Sequence, residues 1–100
     1  LAEAMGFDAG RTLAVLESSA ASSRIMGEKG GKMAARDFTP VARLSQHLKD
    51  VRLMLRAAET AGLALPLTEA HRRLLERAEA DGLGALDNSA IIEVLRRPAP

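Results

Sequence analysis

Between Val41 and Ala58 the apolar residues Val41, Leu44, Leu48, Val51, Leu55 and Ala58 recur at spacings of three, four, three, four and three. That rhythm is one continuous stripe on an α-helix. Leu53, Met54, Ala57 and Ala61 widen it. Thr39 followed by Pro40 offers an N-cap and a proline at the first helical position, where its missing N–H costs nothing. Gly62 closes the other end. The pattern predicts a long helix from Thr39 to Ala61, apolar on more than one side and central to a bundle.

The flanking segments are helical too. β-branched and aromatic residues are scarce and never alternate over a strand length, whereas Ala, Leu, Arg and Glu dominate. A first helix ends at Met5, where Gly6 can turn left-handed. Asp8 offers an N-cap for a second, with Leu13, Val15 and Leu16 on its buried side, reaching Glu17 or Ser18. Serines 18, 19, 22 and 23 compete with the backbone for hydrogen bonds and mark a break or a new cap. The next helix is expected over Ser22 to Ala35, weakened by Gly27, Gly30 and Gly31. After a connector from Leu63 to Pro66, Thr68 starts a helix that uses Leu67, Leu74, Leu75 and Ala78 and ends at Asp81-Gly82-Leu83-Gly84. Asp87 or Ser89 caps a last helix carrying Ile91, Ile92, Val94 and Leu95, stopped by Pro98. The expected fold class is all-α, a helical bundle around one long central helix.

The chain has 100 residues, the size of one domain with a single core, and 47% of them are hydrophobic and 27% charged, the balance of a globular protein. Fourteen basic against 13 acidic residues leave a net charge of +1, and Phe7 and Phe38 are the only aromatics. Neither a basic excess nor stacking platforms are present, so no nucleic-acid partner is expected. The longest apolar run, Ala61 to Leu67, contains Gly62 and Pro66 and falls far below the roughly 18–20 residues of a membrane helix, so no membrane partner is expected either. With no cysteine there is no disulfide framework or thiolate chemistry, which fits the expected cytoplasmic location. The opening Leu-Ala-Glu-Ala-Met has helix-forming composition without a cap. The chain is therefore expected to be a fragment that begins inside a helix of a larger protein.

Few residues advertise chemistry. Gly27-Glu28-Lys29-Gly30-Gly31-Lys32 is not a phosphate loop, because Met26 stands where the first glycine belongs and Met33 follows the lysine. Gly82-x-Gly84 follows no strand and has Asp87 in place of the third glycine, so it is no dinucleotide fingerprint. Helix punctuation accounts for both. His47 and His71 are the only histidines, and neither has a second ligand at helical spacing. A solvated or interface role is expected, and no metal site. Arg24, Lys29, Lys32, Arg36 and Arg43 read as an ordinary solvated face. Lys49 shares a helix side with Ser45, Arg52 and Arg56, beside the apolar stripe, from where its ammonium can project into an adjoining cleft.

Several segments together carry a resemblance. They are Ala35-Arg36-Asp37-Phe38-Thr39-Pro40, Leu44, His47-Leu48-Lys49-Asp50-Val51, Ala57-Ala58-Glu59, Gly62-Leu63-Ala64-Leu65-Pro66, Gly82-Leu83-Gly84 and Asp87-x-Ser89-Ala90-Ile91. In order and spacing, from about Asp8 to Arg97, the chain resembles the C-terminal helical domain of the 3-hydroxyisobutyrate dehydrogenase family. These are β-hydroxyacid dehydrogenases related to 6-phosphogluconate dehydrogenase. One departure is Ala42, near a place where the family often carries phenylalanine.

The resemblance implies a two-domain NAD- or NADP-dependent oxidoreductase acting on a small β-hydroxyacid or its semialdehyde. An N-terminal Rossmann domain of the same chain would hold most of the dinucleotide, and this domain would close the cleft and support a homo-oligomer. The family's principal catalytic lysine would lie upstream of Leu1, leaving no catalytic residue in this piece, which is expected to be inactive alone. Lys49 matches the family's second lysine and is the expected cofactor-binding residue, near the nicotinamide end. Asp50 is expected to be structural, paired with Arg43, Arg52 or another local group. The alternative function is a non-catalytic helical dimerisation or interaction module of the same fold.

Overall fold

Side-chain caps at Asp8, Ser23 and Asp87 set three of the helix starts. The computed structural model describes residues Leu1 to Arg97. They form a 3₁₀ turn Glu3–Met5, α1 (Ala9–Glu17), α2 (Arg24–Ala35), α3 (Leu44–Thr60), α4 (Pro66–Ala80), a second 3₁₀ turn Asn88–Ile91 and α5 (Ile92–Arg96). Among the described residues the sole extended pairing is one antiparallel bridge between Arg43 and Asp87, so the expected all-helical class is the one observed. The expected stop at Pro98 lies outside the described residues. The chain divides into two compact units, Leu1–Asp37 and Phe38–Pro100.

In the first unit Gly6, at φ 88°, closes the opening turn by donating to the Glu3 carbonyl. The Asp8 carboxylate accepts from Arg11 N–H at 2.9 Å and starts α1. Ser18 and Ser19 hydroxyls donate back to the carbonyls of Val15 and Leu16 and end the helix. Ser23 then caps α2 by accepting from Met26 N–H at 3.1 Å. The glycines of α2 are not punctuation as expected, since all three lie inside the helix. A Cβ built on Gly30 would stand 2.5 Å from Leu13 Cδ1, so this glycine lets α1 and α2 meet closely. The expected buried side of α1 is only partly realised. Leu13 is half-buried, Val15 and Leu16 are exposed, and no residue of either helix is fully buried.

The second unit holds all the fully buried apolar residues among those described. Leu44, Leu48, Val51, Leu75, Ala78, Ala90 and Val94 form its core, with Phe38, Leu55, Leu74, Leu83, Leu86 and Ile91 packed around it. Helix α3 lies against α4 and the turn Asn88–Ile91, and α5 packs on α4 and that turn. The apolar stripe is therefore real, but it starts later than expected. Thr39-Pro40 is not a cap, Val41 is 82% exposed, and α3 begins at Leu44.

A competing partner is the physical reason. The fully buried Asp87 carboxylate accepts from the N–H groups of Val41 and Ala42 at 2.9 and 3.2 Å and from Ser89 N–H at 3.0 Å. Asp87 N–H donates to the Phe38 carbonyl and Asn88 N–H to that of Ala42. The stretch from Phe38 to Arg43 is thereby held out of the helix, with bends at Val41 and Ala42. Leu44 and Ser45 N–H then donate to the carbonyls of Leu86 and Gly84, which explains why α3 has no side-chain cap.

Two other boundaries differ from expectation. α4 begins at Pro66, with proline at the first helical position, two residues before Thr68; Leu67 is 85% exposed rather than part of the core. Gly62 and Gly82, at φ 69° and 83°, lie just past the ends of α3 and α4 as expected. Asp87 caps the 3₁₀ turn that leads into α5, where Val94 is buried and Leu95 exposed.

Candidate functional site

Helix α3 carries the side chains of interest, and the Asp87 clasp sets where it starts. Lys49 and Asp50 follow the buried Leu48 and precede the buried Val51, so the backbone beneath them is anchored by core packing. Both side chains are exposed and neither makes an ion pair or side-chain hydrogen bond with the described residues. The expected pairing of Asp50 with Arg43 or Arg52 does not occur, because the Arg52 guanidinium is taken by Glu76 on α4 at 3.0 Å.

That ion pair opens a network. Glu76 also accepts from Arg72 at 2.6 Å, and Arg72 donates to Glu69 from two of its nitrogens at 3.1 and 2.5 Å. Hydrogen bonds from Arg52 and then Arg72 hold the Glu76 carboxyl below its ordinary range, and Arg72 does the same to Glu69. The reciprocal bonds, that to Glu69 foremost, raise the already high pKa of Arg72. Arg52, Leu55, Arg56, Glu59, Glu69 and Arg72 line a shallow groove between α3 and α4. Lys49, Arg52 and Arg56 share one side of α3 by helical spacing, so Lys49 lies along the same edge as this groove. Arg56 makes no ion pair with the described residues. The groove edge thus offers two uncommitted cations, suited to carboxylate, phosphate or hydroxyl groups.

The pair that sequence spacing missed is His47 and His71. They lie on different helices, 24 positions apart, and their Nε2 atoms meet at 2.9 Å. Both are half-buried, where a solvated or interface role was expected. Burial and, secondarily, the charge of His47 push the His71 imidazole below its ordinary value of 6.5. An available signal was that His71 has Leu67, Thr68, Leu74 and Leu75 as its helical neighbours, an unusually apolar setting for a histidine. Among the described residues no group of three or more potential ligands could hold a metal ion. No helix of the described residues is long and apolar enough to cross a membrane.

Residues 1–95 match the family described as NAD-binding of NADP-dependent 3-hydroxyisobutyrate dehydrogenase. The chain is 36% identical over 90 residues to 2-hydroxy-3-oxopropionate reductase of Escherichia coli strain K12, covering 90% of the chain and 31% of that protein. It is 33% identical over 91 residues to the cytokine-like nuclear factor N-PAC of Aedes aegypti, covering 91% of the chain and 16% of that protein. Its fold is that of part of a crystal structure of 3-hydroxyisobutyrate dehydrogenase from Salmonella typhimurium, with TM-score 0.89 and 24% identity over 93% of this chain and 33% of that one.

Proposed function

The chain belongs to the family of NAD-binding domains of NADP-dependent 3-hydroxyisobutyrate dehydrogenase, and on that premise we propose that it is the C-terminal cleft-closing and oligomerisation domain of an NAD- or NADP-dependent oxidoreductase. The substrate class is a small β-hydroxyacid or its semialdehyde, the location is cytoplasmic, and an N-terminal Rossmann domain and a catalytic lysine precede Leu1. The carrying observation is Lys49, an exposed ammonium with no ion pair among the described residues, on a helix whose neighbouring residues Leu48 and Val51 are both core.

That donor fits the cofactor. A lysine supplies three N–H donors and no acceptor, and no carboxylate among the described residues pairs with it, so hydroxyls of a dinucleotide or a substrate carboxylate can take them. The cofactor, when bound, supplies hydride acceptance and donation. Lys49 binds and orients, and the core beneath α3 fixes the backbone that carries it. Arg56, on the same edge, adds attraction for an anionic ligand.

In the intact protein Lys49→Ala is expected to lower kcat/KM more than tenfold, equivalent to more than about 1.4 kcal/mol, with an unchanged circular dichroism spectrum. Unaltered kcat/KM removes Lys49 from the site. Titrated alone in a calorimeter, this domain is expected to bind NAD or NADP weakly, because most contacts belong to the Rossmann half.

One observation favours a second reading, a non-catalytic interaction module, namely the similarity to a relative whose name is that of a nuclear factor. The two part on turnover: an intact protein that reduces no semialdehyde or hydroxyacid with either dinucleotide, yet self-associates, supports the module.

A further inference from the structure

The Nε2 atoms of His47 and His71 are 2.9 Å apart while their ring centroids are 5.1 Å apart with planes inclined at 65°. The centroid separation exceeds the nitrogen separation by about a ring's width, so the imidazoles meet tip to tip. That is the geometry of an in-line N–H···N hydrogen bond. We propose that this pair is a proton-operated latch joining α3 to α4, closed while at least one imidazole is neutral and opened by the second proton.

The physical reason is a count of hydrogens. Each neutral imidazole has one N–H and one bare nitrogen, so one Nε2 can donate while the other accepts. Adding a proton elsewhere on the donor ring leaves the bond in place and strengthens it. A second proton puts hydrogens on both facing nitrogens, removes the acceptor and sets two cations against each other in a half-buried interface. The direction of the His71 titration agrees, since burial and the charge of His47 both favour its neutral form.

The surroundings supply no anion to neutralise such a pair from α4, where the neighbours one turn away are Leu67, Thr68, Leu74 and Leu75. Along α3 and the residue that precedes it, the charged neighbours one turn from His47 are Arg43 and Asp50, one of each sign. The turn Asn88–Ile91, packed on both helices, carries no titratable side chain. Helix α5, packed on α4, carries Glu93 and Arg96, ion-paired with each other at 2.7 Å. The latch spans the pairing of the longest two helices, and its existence does not depend on any role for Lys49.

The test is histidine 15N NMR on the intact protein between pH 8 and pH 5, with assignments from His47→Gln and His71→Gln. At pH 8 a through-hydrogen-bond coupling between the two Nε2 atoms is expected. The pair should titrate in two steps spread over more than one pH unit, the lower midpoint below 6.5, with the coupling lost through that lower step. Independent single titrations at or above 6.5, or no coupling at pH 8, would overturn the latch. In a parallel measurement the melting temperature of the unsubstituted protein should fall over the same window, and either Gln variant should lose at least half of that fall. An undiminished fall in both variants would also overturn it. If a variant does not fold, the titration of the unsubstituted protein still decides.

Discussion

The units Leu1–Asp37 and Phe38–Pro100 are both helical and both capped, yet they are held together differently. The first has two helices brought close by Gly30 against Leu13, with no residue fully buried and Phe7, Val15 and Ile25 at least half exposed. The second encloses a core from α3, α4, α5 and a 3₁₀ turn, and ties it across the chain through a buried aspartate. Good helix formers are common to both, and side-chain caps start both α-helices of the first unit but none of the α-helices of the second, so the difference lies in non-local burial. Helix propensity alone leaves short helices marginal, whereas apolar area removed from water stabilises them.

The contrast can be broken most forcefully at Asp87. Asp87→Ala leaves the N–H groups of Val41, Ala42 and Ser89 without their acceptor and is expected to destabilise by more than about 3 kcal/mol in urea unfolding. A loss below about 1 kcal/mol would show that the clasp is incidental. Next, Leu75→Ala in the second unit should cost about 2–5 kcal/mol by leaving a cavity, while Leu16→Ala in the first, at an exposed position, should stay within about 0.5 kcal/mol. Equal losses would erase the distinction between the units.

The glycines of α2 sharpen it further. Nothing lies within 4 Å of a Cβ added at Gly31, so Gly31→Ala should stabilise by about 0.5–1 kcal/mol through helix propensity. The same change at Gly30 meets Leu13 and should gain nothing. Raised thermal stability in both variants would mean that α1 and α2 are loosely packed. The smallest effect is expected from the solvent-facing network of the second unit. Glu69 and Glu76 titrate below their ordinary 4.5 in the folded state, so their contribution is present above pH 4.5 and fades as pH falls through the lowered values. Added salt should weaken it, as monitored by the urea midpoint at pH 5 and pH 3.

Much of the fold was legible because its signals are local. Asp8, Gly6, Gly62 and Gly82 act at the helix ends where they were expected, and Ser23 caps α2 one residue after the anticipated start. Leu44, Leu48, Val51 and Ala58 are buried as the stripe requires. The failures are non-local in origin. Thr39-Pro40 has a credible helix-start pattern, yet the Asp87 carboxylate, more than 40 positions away, takes the N–H groups of the residues that follow. Asp50 has plausible partners nearby, but Arg52 finds Glu76 on another helix. Val15 and Leu16 belong to an amphipathic pattern whose apolar side has too little around it to be covered.

Residue order was enough to settle helical class, the ends of most helices and the identity of the core stripe, since each depends on contacts within a turn or two of chain. Where α3 begins, that His47 faces His71, and which cations stay uncommitted along the Lys49 edge were settled by packing. Those outcomes turn on groups 24 or more positions apart competing for the same donor or acceptor, and no local pattern records which competitor wins.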